Sequence, residues 1–224
     1  MGTFRPKDLY LTLLFVATAI TAAVVFLPPA GQLSEPGLAP LRQSLKDVPM
    51  SRQRFRVVGY QRQNFGPGWA PAPAPLSGCT TREAALFHQS DPTTTSQSGT
   101  CPTPTGLLFD PYTGAMLELN NATDIEIDHV FPLSAAWDQG AYEWDNATRI
   151  TFANDPLNLV ATSKQANRDK SDSLPEEWMP PDRSARCWYA QRLAAVAKKY
   201  RLNLSEADIR VMKKACRLAF IPRG

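Results

Sequence analysis

The chain has 224 residues, 43% of them hydrophobic, with 24 Lys and Arg against 21 Asp and Glu and a formal net charge of +3. That length suits one globular domain plus a tail, with ample material for a core. The total charge is too small to argue for a partner, but its distribution is uneven. From Cys101 to Asp182 fourteen acids meet four cations, a balance of −10, and from Arg183 to Gly224 eleven cations meet two acids, a balance of +9. An acidic half beside a basic one suits a phosphodiester substrate, and solvated helix faces are the alternative.

In chain order, Arg5 and Lys7 precede Leu9 to Leu27, nineteen residues without a charge. That run reaches bilayer-spanning length, and no good small-x-small cleavage site follows it. The pattern predicts a cytoplasmic stretch over 1–8 and an anchor, or else a cleaved signal peptide, over 9–28. A polar linker over 29–50 and a domain over 51–224 would then lie outside the membrane. Phe55 to Tyr60 reads as a first strand, Arg62 to Trp69 as turns, and Ala70 to Pro75 as extended chain. Cys79 to His88 starts a helix, and His88 stands apart from any acid-rich motif. Asp110 to Gly114 is a tight turn between two apolar runs.

The four cysteines are Cys79, Cys101, Cys187 and Cys216. No Cys-x-x-Cys occurs, which argues against structural zinc, while an even count behind an export segment points to disulfides. Of three possible pairings, the nearest-in-sequence one is expected: Cys79–Cys101 and Cys187–Cys216.

The chemistry concentrates between residues 124 and 172. Ile125 and Ile127 alternate with Glu126 and Asp128, as in a short half-buried strand ending at His129. Leu133 to Asp155 is too apolar for a loose loop and predicts one or two short helices. Leu157 to Thr162 reads as a second strand, and Ser163 can cap a short helix through Lys170. Strand, strand and helix would gather Asp128, His129 and Asn167. A carboxylate and an amide oxygen are hard ligands for one divalent ion, Mg²⁺ or Mn²⁺, and a neutral imidazole beside it can take a proton from water. Lys164, Arg168 and Lys170 offer charge for a phosphate, although a solvated helix face explains them equally well. Two basic helices follow, over Ser184 to Tyr200 and from Ser205 to about Leu218. Their Lys198, Lys199, Lys213 and Lys214 form a second candidate clamp for nucleic acid.

Asp128-His-Val-Phe-Pro132, then Asn158, then Asn167-Arg-Asp-Lys170 resembles the HNH (ββα-metal) endonuclease motif. Phe109 to Gly114, Phe152 to Asn158 and Trp178 to Pro181 resemble an exported branch of it, similar to the C-terminal domain of GmrSD-type modification-dependent restriction enzymes. The resemblance implies an α+β fold with a ββα-metal core and added helices, preceded by the one N-terminal transmembrane helix read from residues 9–28. It also implies that Asp128 and Asn167 hold the metal, that His129 is the general base and that Asn158 orients the histidine loop. Thr80 departs from the pattern, since exported relatives often carry an acid after the first cysteine. The expected protein is a metal-dependent endonuclease acting on nucleic acid, DNA favoured, with backbone contacts and little sequence specificity. No protein partner is expected, and the location would be a bacterial cell membrane, with the domain outside or secreted. An inert binding module on the same scaffold and a cytoplasmic restriction effector are the rival readings.

Overall fold

The computed structural model describes Glu35 and residues 37–90, 95–96 and 100–218. The anchor expected over 9–28 lies outside the described residues, and among those described no helix is long and apolar enough to cross a membrane.

The architecture is mixed α and β. In chain order it runs α1 (Leu41–Ser44), β1 (Met50–Ser51), α2 (Thr81–Gln89), β2 (Thr95–Ser96), β3 (Thr103–Pro104), β4 (Leu107–Phe109), β5 (Met116–Glu118) and β6 (Ile125–His129). It continues with α3 (Leu133–Asp138), α4 (Asn146–Ala153), β7 (Leu159–Ser163), α5 (Lys164–Lys170), α6 (Arg186–Tyr200), β8 (Leu204–Ser205) and α7 (Glu206–Leu218). The strands pair in twos: β1 with β8 in parallel, and β2 with β3, β4 with β5 and β6 with β7 antiparallel.

The β6–β7 pair positions the site. Its register sets His129 opposite Leu159, Asp128 opposite Val160 and Glu126 opposite Thr162. Cross-strand partners share a face and neighbours along a strand alternate, so Asp128 and His129 point to opposite sides. On the His129 side, Ile125, Ile127, Leu159 and Ala161 pack with Leu86 of α2 and with Leu108 and Trp69. On the Asp128 side lies α5, whose Asn167 and Lys170 reach Glu126 and Asp128. Local signals explain both helices. Ser163 caps α5 by accepting from the Ala166 amide, while Thr80 and Glu83 form a capping box on α2. Thr80, the departure from the expected acid, is therefore a helix cap.

The main core is built on α6, where Tyr189, Ala190, Leu193, Ala194 and Val196 are fully buried against Tyr112, Val130, Phe131 and Phe152. The C-terminal helices are tied by Cys187–Cys216, and Cys79–Cys101 ties the start of α2 to the next loop, the pairing expected from sequence order. Leu41 and Val48, within the stretch read as a linker, are buried in this core. Phe55 to Tyr60 is not a strand: among the described residues it pairs with no other strand, Phe55 is 64% exposed, and Val58 is 93% exposed. What holds that segment is charge. Arg54 donates to Asp138 on α3 and to the carbonyl and carboxylate of Asp172.

Candidate active site

His129 closes β6 with 6% of its surface exposed. Its Nε2 lies 2.8 Å from the carbonyl oxygen of Ala153, the last residue of α4. A carbonyl can only accept, so Nε2 carries the hydrogen and Nδ1 of the neutral ring is the unprotonated nitrogen. Burial pushes the imidazole pKa down to about 4, keeping the ring neutral at pH 7. Trp69 stacks on the ring, with centroids 5.9 Å apart and planes 9° from parallel. The imidazole is therefore fixed in tautomer, orientation and charge.

Asn158 secures the turn that follows. Fully buried, it accepts from the Phe131 amide at 2.8 Å, donates to the Phe131 carbonyl at 3.2 Å, and offers its own carbonyl to the Val130 amide at 2.8 Å. A side-chain amide supplies both the acceptor and the donor that this stretch of backbone uses.

On the other face Asp128 is enclosed. Its Oδ2 accepts from the Tyr112 hydroxyl at 2.7 Å and lies 2.8 Å from Lys170 Nζ, and its Oδ1 accepts from the same ammonium at 3.0 Å. Lys170 is fully buried and also donates to the His129 carbonyl at 2.8 Å. Burial pushes the Asp128 carboxyl up and the Lys170 ammonium down, and their mutual attraction opposes both. Tyr112 is held there by Asp110 of the Asp110–Gly114 turn. That buried carboxylate accepts from the Tyr112 amide, the Thr113 and Thr162 hydroxyls and the Ser163 amide. The turn thus fastens the end of β7 and sets a phenol under Asp128. Ser171, directly after Lys170, has φ 52° without being glycine, a strained turn that lets Lys170 face inward while Asp172 reaches Arg54.

The expected site residues therefore divide. Asp128 meets Lys170, and His129 lies on the opposite side of the hairpin. Asn167 is half-buried and donates to Glu126 at 2.7 Å, not to Asp128. Lys164 is half-buried and Arg168 exposed, both on the Asp128 side. Among the described residues no group of three or more His, Cys, Asp or Glu is placed to hold a metal ion. Asp128 as it sits does not fit a divalent ion, because an ammonium and a phenol already occupy its oxygens. The outward-facing oxygen donors on that side are Glu126 and Asn167. In the basic helices Lys198 pairs with Asp47 and Lys199 with Asp155, while Lys213 and Lys214 are exposed.

Tyr112, Trp69 and the Ala153 carbonyl were not singled out from the sequence. The Asp110–Gly114 motif was the available signal for Tyr112, while nothing in a turn-rich stretch marked Trp69. A cavity of about 670 Å³ between α2, Pro73–Leu76 and α6 has mostly apolar walls and does not include His129.

A family model described as the C-terminal domain of GmrSD restriction endonucleases matches residues 89–214. An uncharacterized secreted protein of Arthroderma benhamiae is 37% identical over 202 residues, covering 88% of this chain and 93% of that protein. No solved structure matches.

Proposed function

We propose that this chain, which belongs to the GmrSD restriction endonuclease C-terminal domain family, is an exported endonuclease that hydrolyses phosphodiester bonds of nucleic acid. The observation that carries the reading is His129. Its Nε2–H is held by Ala153 and its unprotonated Nδ1 is in a ring that stays neutral at pH 7. Such a nitrogen can take the proton of a water attacking phosphorus. Asn158 fixes the turn beside it, and the Lys170 contact to the His129 carbonyl fixes the backbone from below.

One divalent ion, Mg²⁺ or Mn²⁺, belongs to the proposal. Bound to the phosphate, it would neutralise charge on the oxygens. The oxygen donors not already engaged by Lys170 or Tyr112 are Glu126 and Asn167, and they lie on the face of the hairpin opposite His129, so an ion held there and the base would not share one face. DNA is the favoured substrate, bound through its backbone with little sequence preference. The segment over 9–28 would anchor the enzyme at the outer face of a membrane or be cleaved to release it.

The two disulfides and the relative described as secreted favour an oxidising compartment over the cytoplasm, where a restriction effector would work. The test is nicking of supercoiled plasmid, with RNA in parallel, by the purified protein with Mg²⁺, Mn²⁺, Zn²⁺ or EDTA. Cleavage with Mg²⁺ or Mn²⁺ that EDTA stops is expected. Absence of cleavage of both nucleic acids under every condition would sink the reading.

A further inference from the structure

We propose that Arg62 is the phosphate-holding residue of this site, gripping the substrate backbone beside His129 in place of the cations of α5. The inference rests on the nuclease reading and names a residue that the family match does not assign. It starts from the two faces of the hairpin. Lys164 and Arg168 belong to the helix on the Asp128 side, and Lys170 is sealed within that side. The His129 side needs a cation of its own.

Four other arginines of this part of the fold are committed. Arg54 and Arg56 pair with Asp138 and Asp172. Arg149 donates to the carbonyls of Asn64, Ala141 and Trp144 and to the Asn146 side chain. Arg192 donates to three carbonyls and to Glu35. Arg62 is exposed and, among the described residues, makes neither a hydrogen bond nor an ion pair.

Its position is built rather than incidental. Arg62 opens a 3-10 turn, Arg62–Phe65, whose Phe65 is 2% exposed and packs on Phe152 of α4 with centroids 6.0 Å apart. Arg149 of α4 donates to the Asn64 carbonyl at 3.1 Å. The same helix ends at Ala153, which holds His129, so one element places both the arginine and the imidazole. Gly66 follows at φ 102°, where a Cβ would press on Ile150 at 3.1 Å, and the chain turns there to bring Trp69 onto the ring. A free guanidinium offers a planar fork of donors that matches phosphate oxygens.

The experiment measures binding of short fluorescent single-stranded and duplex DNA by full-length His129→Ala protein, which binds without cutting, across a salt series. In that background Arg62→Gln is expected to weaken binding about tenfold at low salt and to flatten the log–log salt dependence by about one unit. Arg62→Lys should keep the slope, since charge remains. In the active protein it should lower kcat/KM, because the fork is lost. Lys46→Gln, an exposed cation elsewhere on the surface, controls for general charge. Unchanged affinity and slope for Arg62→Gln, with the native protein still cutting, overturns the role of Arg62 and leaves the nuclease reading standing. A native protein that cuts nothing, with a His129→Ala form that binds nothing, removes both.

Discussion

On one side of the β6–β7 hairpin, Asp128 is closed in by Lys170 and Tyr112, with both its oxygens accepting hydrogen bonds. One residue further on, facing the other way, His129 keeps a free ring nitrogen beneath Trp69. The first side invests in stability, since a buried ion pair whose hydrogen bonds are all satisfied holds strand to helix. The second invests in reactivity, because a neutral imidazole with one unprotonated nitrogen can accept a proton. Adjacent letters of one motif thus do opposite work, and strand alternation alone separates them.

The largest expected effect lies on the His129 side. His129→Ala should lower cleavage about 10²–10⁴-fold, the usual worth of a general base, and also cost stability, because the ring is bonded to Ala153 and packed on Trp69. Added imidazole should restore part of the rate. A variant that cuts at the native rate would show that the His129 side is not the reactive one.

Next comes the closed side. Lys170→Met leaves the Asp128 carboxylate buried without its counter-ion and should cost about 3–5 kcal/mol of stability. The double variant Asp128→Asn, Lys170→Met should recover much of that, because no lone charge remains. Urea denaturation of the two single variants and the double measures the coupling. If Lys170→Met is as stable as the native protein but inactive, the lysine is catalytic and the division between the sides breaks down.

A pH series sharpens the contrast. His129 has a folded pKa of about 4 against an ordinary 6.5, so the unfolded chain takes up the proton first. The ring's contribution is full above pH 7 and is lost as pH falls from about 6.5 towards 4, about 2–3 kcal/mol by pH 4.5. His129→Gln should flatten this part of the stability profile. A native profile that is level between pH 7 and 4.5 would mean that the ring is solvated and not held neutral.

How much of this was legible in the sequence follows from what each feature depends on. The hairpin, the Ser163 cap and the pairing of cysteines nearest in sequence all depend on local pattern or chain order, and the structure has them. The destination of Lys170 was not legible. A lysine near the end of a short polar helix looks solvated, and only the strained Ser171 turn and the Asp128 opposite send it inward. Nor was the separation of His129 from Asn167, although period-two alternation applied to Asp128 and His129 contains it. Phe55 to Tyr60 has strand composition but no partner strand, and propensity cannot supply one.

The smallest effect tests whether the closed side depends on its phenol at all. Tyr112 is fully buried, and it is set in place by the Asp110 turn rather than by Asp128. Tyr112→Phe removes one hydrogen bond to a charged group without changing the ring's packing against Trp178 and Tyr189. Bonds to charged groups are worth about 1.5–3 kcal/mol, and the lower end applies here because Lys170 still faces both oxygens of Asp128. Cleavage should persist, since the phenol lies on the side away from His129. A loss of activity without loss of stability would mean that the Asp128 side takes part in the chemistry. The hydroxyl would then be tuning a carboxylate that leaves Lys170 when substrate binds.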